Sequence, residues 1–383
     1  MLLTVPNYYD AFRCIASDCK DNCCVGWEID IDDASFARYR SVPGVLGDKL
    51  NAAIQPGPPP FFALTEQKRC PFLNDQNLCE LYIHLGEEAL CEICTEHPRF
   101  HNWFGPVRET GLGLCCEEAA RLLLTWPEPF SLVQRTLANT PDEECITDPG
   151  LLDALIKART AAFSILQNRA LPFQHRLVLL VSLAQDLNGW LCESLAPEKA
   201  ESLAALEKIT AFYSDTEAHA DIIDYLTDRL SAADTDSFFV PLLELLQTLE
   251  PNDPAWPDRL KELKSALPHL LENGFGWEDE AAADGAERIA CYFVYRYFVS
   301  MAVWGDYMSG LLTAVSSVLV IRLLELDTLQ KTGYLTLEDR ILAAKCYSKE
   351  MEYAPENLTS LADAIWDSAF FSRSNLMGIL LHQ

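Results

Sequence analysis

The sequence is poor in positive charge. Its 383 residues hold 29 lysines and arginines against 57 aspartates and glutamates, a formal net charge of −28. Sequence-independent binding of DNA or RNA needs clustered cations that displace phosphate counterions, so no nucleic-acid partner is expected. An acidic excess attracts basic proteins, although its ordinary use is solvation. A secretory leader is not expected either. Met1-Leu2-Leu3-Thr4-Val5-Pro6 has no basic start and little apolar length, and Asp10 follows soon. A cytoplasmic location is therefore expected, with thiols kept reduced rather than paired as disulfides. Long apolar runs are scarce. Tyr307 to Ile321 is uncharged for fifteen residues, short of the ~20 that a spanning helix needs. A buried core helix is the first reading and peripheral membrane contact the second. No nucleotide-binding loop stands out, because Gly111-Leu112-Gly113-Leu114 lacks a third glycine and a strand–helix setting. Nor is there a CxxxCxxC triad: Cys19 and Cys23 are followed directly by Cys24.

What the sequence does have is cysteine, unevenly spread. Ten of its fourteen cysteines lie between Cys14 and Cys116. Cys14, Cys19, Cys23 and Cys24 form one group, and Cys70, Cys79, Cys91 and Cys94 a second. Cys115 and Cys116 close the series. Short spacings allow one turn of backbone to aim two thiolates at one metal, and Cys91-x2-Cys94 has the spacing common to zinc and cluster sites. Adjacent residues of an extended segment point to opposite sides. Cys23 and Cys24 are thus ill suited to one small ion and suit either one ligand and one packed thiol, or two different metals. His84, His97 and His101 are nearby, but mostly thiol donors and more than four candidates favour a [4Fe–4S] centre, with zinc as the alternative. The remaining four, Cys145, Cys192, Cys291 and Cys346, are scattered singly and read as small core residues.

This shift in usage divides the chain near Trp126-Pro127-Glu128-Pro129. Residues 1–125 read as an irregular cysteine-rich metal-binding domain, and residues 126–383 as an all-helical domain, a mostly α protein without a strand-rich block. Short helices are expected at Asp33–Arg40, Leu78–Leu85, Glu87–Glu96 and Glu117–Leu124, with the stiff Gln55–Pro60 connector between the first two. In the second part Asp148-Pro149 offers an N-cap and a first-turn proline. Apolar stripes at helical spacing follow at Leu177–Leu195, Ala200–Phe212, His219–Leu230, Phe238–Leu249, Trp256–Leu271, Ala286–Trp304 and Met308–Leu326. Thr336-Leu337-Glu338-Asp339 is a capping box that opens a helix over Glu338–Glu350.

The ordered series of cysteine motifs resembles the flagellin lysine-N-methylase family. The resemblance is carried by Tyr9-Asp10-Ala11-Phe12-Arg13-Cys14, by Cys23-Cys24-Val25-Gly26-Trp27 and by Cys70-Pro71-Phe72-Leu73-Asn74. Leu78-Cys79-Glu80-Leu81-Tyr82, Leu90-Cys91-Glu92-Ile93-Cys94 with His97-Pro98-Arg99, and Leu114-Cys115-Cys116-Glu117-Glu118-Ala119 extend it. The helical remainder is similar at Tyr295–Phe298 and Glu350–Leu358. One departure is Tyr353, where the family motif carries a histidine. The resemblance implies transfer of methyl from S-adenosylmethionine to lysine amines of flagellin, in the cytosol, with a cysteine-ligated [4Fe–4S] cluster.

Such a transfer needs a deprotonated amine, an in-line donor and a held sulfonium, for which an acidic or aromatic pocket is suited. Glu350, Glu352 and Tyr353, at the end of the capped helix, are the candidate acid–base groups. Arg296, within Tyr292-Phe293-Val294-Tyr295-Arg296-Tyr297-Phe298, is placed to stack on rings or bind a carboxylate. Trp27 and Trp103 read as hydrophobic anchors of the cysteine-rich part. Two other functions fit the same residues: a metal- or redox-sensing protein without transferase activity, and a structural zinc scaffold.

Overall fold

The computed structural model describes residues 1–20, 23–26, 29–138, 148–192, 199–367 and 370–383. Trp27 and Cys145 lie outside them. The protein is mostly helical, but its N-terminal part holds strands that the sequence pattern did not suggest. β1 (Leu2–Pro6), β5 (Arg99–Phe104), β6 (Val107–Leu112) and β7 (Leu132–Thr136) form a sheet in the order β5-β6-β1-β7. In a second sheet β4 (Phe61–Phe62) lies between β2 (Ile29–Asp30) and β3 (Ile54–Gln55). β1 runs parallel to β6 and antiparallel to β7, so strands from both sides of the Trp126–Pro129 segment share one sheet.

The strands escaped the alternation rule for identifiable reasons. Glu109 sits inside β6 yet is buried, because both its oxygens accept from Arg159 at 2.6 and 2.7 Å. Gly111 weakens the strand signal, but a Cβ there would meet the Phe100 ring at 2.3 Å. Its bareness lets the β5–β6 hairpin close over an aromatic ring.

Five short helices accompany these strands: α1 (Asp33–Arg40), α2 (Gly44–Ala53), α3 (Glu80–Leu85), α4 (Glu92–Glu96) and α5 (Glu117–Thr125). The helix expected over Glu87–Glu96 is split into a 3-10 turn at Glu87–Ala89 and α4. The break has a cause. Tyr39 donates to the Ala89 carbonyl at 2.7 Å, and the Asp32 carboxylate accepts from the Glu92 amide at 2.8 Å. Cys91, between them, turns into a small core with Ile29, Ile31, Leu50, Phe62, Phe72 and Leu81.

The helical body follows as α6 (Pro149–Leu166), α7 (Phe173–Cys192), α8 (Lys199–Ser214), α9 (His219–Thr227), α10 (Asp236–Thr248), α11 (Trp256–Leu270) and α12 (Glu280–Phe293). A π turn at Val294–Phe298 leads to α13 (Val299–Ala302), then α14 (Ser309–Thr332), α15 (Leu337–Glu352), α16 (Pro355–Trp366) and α17 (Arg373–His382). Asp148 caps α6 and Thr336 forms the expected capping box on α15. The apolar stretch at 307–321 belongs to α14. By length and composition this helix is able to cross a membrane, but 94% of its apolar window is buried inside the protein. Its charges are satisfied there: Arg322 bonds Glu325 at 2.7 Å and the Phe275 carbonyl at 2.7 Å.

Sheet and body share the larger core, in which Tyr8, Phe104, Leu112 and Leu114 pack with the helices. Tyr295, from the π turn, donates to the carbonyls of Thr4 in β1 and Thr110 in β6. The Glu109–Arg159 pair joins β6 to α6 with both side chains at most 2% exposed. Removing one partner of such a pair strands a buried charge. Arg159→Met is expected to lower unfolding free energy by about 3–5 kcal/mol in urea denaturation. The double change Glu109→Leu with Arg159→Met should recover most of that loss.

Candidate metal and substrate cavity

The residues that carry the cysteine motifs enclose a cavity of about 970 Å³ between the small core and the body. Eight cysteines line it: Cys14, Cys19, Cys23, Cys24, Cys79, Cys94, Cys115 and Cys116. Cys70 and Cys91 stand behind them, buried in the small core. The ten cysteines singled out from spacing are therefore drawn to one region although they are up to a hundred residues apart in sequence.

Cys91 and Cys94 approach most closely, with sulfurs 3.3 Å apart, as expected for a CxxC pair across the first turn of a helix. That contact pulls the Cys91 thiol down and pushes the Cys94 thiol up. Cys24 lies alongside, its carbonyl accepting from the Cys70 amide at 2.8 Å. On the body side Cys115 and Cys116 precede α5. Burial pushes Cys115 up to about 11, and Cys70 and Cys116 up to about 12. These thiols hold their protons at neutral pH unless a metal displaces them. Cys19 donates to the Glu117 carboxylate at 3.7 Å. That carboxylate also accepts from the Lys20 amide at 3.0 Å and lies 3.8 Å from the buried Lys345 ammonium.

As placed, no three His, Cys, Asp or Glu side chains among the described residues stand together closely enough to grip one ion. The donor chemistry nevertheless fits a thiolate-held centre. One cavity is lined by soft donors in excess, and its only carboxylate residues are Glu87 and Glu96.

The three candidate acid–base groups separate. Glu350 is turned away from the cavity, where its oxygens accept from the amides of Asn252 and Asp253 at 2.8 and 2.9 Å and fasten that loop to α15. Glu352, 1% exposed at its side chain, is enclosed by Tyr297 at 2.7 Å, Tyr292 at 3.0 Å, Arg296 at 3.3 Å and Ser348. Tyr353 does reach the thiols. Its hydroxyl is hydrogen-bonded with Cys115, and burial followed by the charge of Cys115 drives its ionisation well up. Its ring also meets His97, a cavity residue, with centroids 6.3 Å apart.

Arg296 both stacks and pairs. Its guanidinium lies 4.3 Å from the centre of the Phe100 ring and donates to the Tyr292 hydroxyl at 2.7 Å. Tyr292 in turn accepts from the Leu114 amide at 3.3 Å. Gly113 is tight against this group, since a Cβ there would lie 3.0 Å from the Cys115 sulfur and 3.3 Å from Arg296. Trp103 is no interior anchor: it is 39% exposed on β5 with the Arg108 guanidinium over its ring. His101 is occupied by Thr110 at 2.9 Å and Glu96 at 3.2 Å. Sequence reasoning missed Glu117, Tyr292 and Tyr297 as parts of the site, and Arg13 and Arg99 as cavity walls. Their only signal was adjacency to the cysteine motifs or to Arg296.

Residues 159–379 match the family model described as the FliB lysine N-methylase C-terminal domain. A lysine-N-methylase of Salmonella choleraesuis is 27% identical over 149 residues, 35% of either chain. One from Salmonella typhimurium is 26% identical over the same length and shares. The flagellar biosynthetic protein FliU of Salmonella muenchen is 26% identical over 147 residues, 35% of this chain and 83% of that one. The match thus spans about a third of the length of the two lysine-N-methylases. No solved structure matches the chain.

Burial, with a smaller contribution from Lys349, lowers His97 from 6.5 to about 4. The unfolded chain therefore takes up this proton first. The stability that neutral His97 contributes is complete above about 6.5 and is lost as the pH falls toward about 4. His97→Phe should flatten the acid limb of stability against pH relative to the parent, by up to about 3 kcal/mol across that window. Parallel acid limbs in the two proteins would contradict this.

Proposed function

Since this chain belongs to the FliB lysine N-methylase family, we propose that it transfers methyl groups from S-adenosylmethionine to lysine side chains of flagellin, with a [4Fe–4S] centre held by cysteines of the cavity. The observation that carries the reading is the convergence of eight thiols from three stretches of sequence on one cavity. Cys115 and Cys116 are adjacent before α5 and Cys19 donates to Glu117, the next residue, so these three, with Cys23 of the same N-terminal group as Cys19, are taken as the foremost ligands. The thiols of the small core, Cys24, Cys70, Cys79, Cys91 and Cys94, are the reserve, with zinc as the alternative metal. When bound, such a centre supplies one-electron chemistry or a Lewis-acidic iron.

The chain's own residues account for other requirements. Phe12, Ile15, Leu73, Leu78 and Ile83 give the cavity an apolar wall that disfavours an ammonium ion. A lysine stem entering there loses its proton more readily than in water, which frees the nucleophilic lone pair. Glu352 is not free to take that proton, because tyrosine and serine hydroxyls and Arg296 already occupy it. Its role is to hold Tyr292, and through Tyr292 the Leu114 amide, so that Cys115 stays at the cavity floor. Tyr353 keeps its phenolic proton and serves as a donor to the Cys115 sulfur.

The test is label transfer. Protein prepared without oxygen and loaded with iron and sulfide should move labelled methyl from S-adenosylmethionine to flagellin lysines. Cys115→Ser with Cys116→Ser should lower both bound iron and label. Iron-loaded protein that labels no flagellin would sink the transferase reading and leave the metal- or redox-sensing one, for which the 3.3 Å Cys91–Cys94 contact is the structural support.

A further inference from the structure

Arg13 and Arg99 both line the cavity. The Arg99 guanidinium lies 5.6 Å from the centre of the Phe12 ring and 5.9 Å from that of Tyr9, and its Nε donates to the Tyr9 hydroxyl at 3.1 Å. A second donation, to the Thr95 carbonyl at 3.1 Å, fixes its other end. Arg13 follows Phe12 directly and is held by the carbonyls of Asp10 at 3.0 Å and Phe12 at 2.6 Å. Both guanidinium groups are thus oriented before any ligand arrives, which removes much of the entropic cost of using them.

Neither has an anionic partner. Among the described residues no carboxylate lies within 4.0 Å of either guanidinium. Glu96, the acid nearest in sequence to Arg99 on the cavity wall, is instead engaged with His101 at 3.2 Å. The other cavity carboxylate, Glu87, comes from the 3-10 turn of the small lobe. In a chain with 57 acidic residues and 29 basic ones, two oriented and unmatched arginines on the wall of a largely apolar cavity call for an anion brought by the ligand.

We propose that Arg13 and Arg99 form a carboxylate site that holds the amino-acid end of the methyl donor. The inference rests on the methyl-transfer reading above and assigns the donor's orientation within it. The carboxylate lies against the two arginines, and the sulfonium and nucleoside extend along the apolar surface toward the thiols. Arginine matches a carboxylate with two parallel N–H bonds, which is why the loss of one arginine is felt strongly.

Two probes separate the claims. S-adenosylhomocysteine has the amino-acid carboxylate, and 5′-methylthioadenosine keeps the nucleoside and the sulfur but lacks it. Binding of each to the full chain is measured by calorimetry for the parent, Arg99→Ala and Arg13→Ala. Each substitution is expected to weaken S-adenosylhomocysteine by about 10- to 100-fold and to leave methylthioadenosine within about threefold. Arg99→Lys, which keeps charge but loses the fork, should fall between. Arg99 packs on two rings, so its alanine variant is checked by circular dichroism; Arg13 is exposed and carries the test on its own if Arg99→Ala misfolds. Equal losses for both probes, or none in the Arg13 variant, would overturn the carboxylate site. A parent protein that binds neither probe would overturn the donor reading itself.

Discussion

The buried Glu352 carboxylate organises the site. It accepts from hydroxyls on the π turn and α12, from Ser348 on its own helix and from Arg296, and it does so with almost no exposure to water. An anion in such surroundings is stable only when every lone pair is occupied. That demand fixes the relative positions of α12, the π turn and α15. The same tyrosine that satisfies Glu352 accepts from the Leu114 amide, one residue before the Cys115–Cys116 pair. The thiol floor of the cavity is thus located by an electrostatic knot in the helical body, not by the cysteine segments alone.

A second constraint is the modest size of the core around Cys70 and Cys91. It holds few large apolar side chains, namely Ile29, Ile31, Tyr39, Leu50, Phe62, Phe72 and Leu81. Cores of this size are usually reinforced by metal or disulfide. Here the reinforcement visible in the protein itself is polar: Asp32 caps α1 and receives the Glu92 amide, and Tyr39 ties the Ala89 carbonyl.

The helices were legible because their signals are local. Asp148-Pro149, the Thr336 capping box and Asp33–Arg40 appear where composition and spacing put them. The membership of the cysteines in one region was legible from their density. The four-stranded sheet was not, because its pairings join residues 2–6 to residues 107–109 and 132–136, and two of its positions, Glu109 and Gly111, make sense only once Arg159 and Phe100 are beside them. Glu352 stood out by its place at the end of a capped helix, and its carboxylate is engaged by Tyr292, Tyr297, Ser348 and Arg296. Arg13 and Arg99 were overlooked. Both stand inside the cysteine motifs, but a guanidinium held by backbone carbonyls and ring faces is not marked out there as a cavity residue.

α14 carries an implication for synthesis of the chain. It is a 24-residue helix buried on nearly every side, and part of its cover comes from α15 and α16, which follow it. Until α15 and α16 have folded against it, the rod lacks that part of its cover. For that interval it presents to the cell the same face a membrane protein would. The Arg322–Glu325 pair, three residues apart on that same helix, forms with the helix itself and is buried along with it.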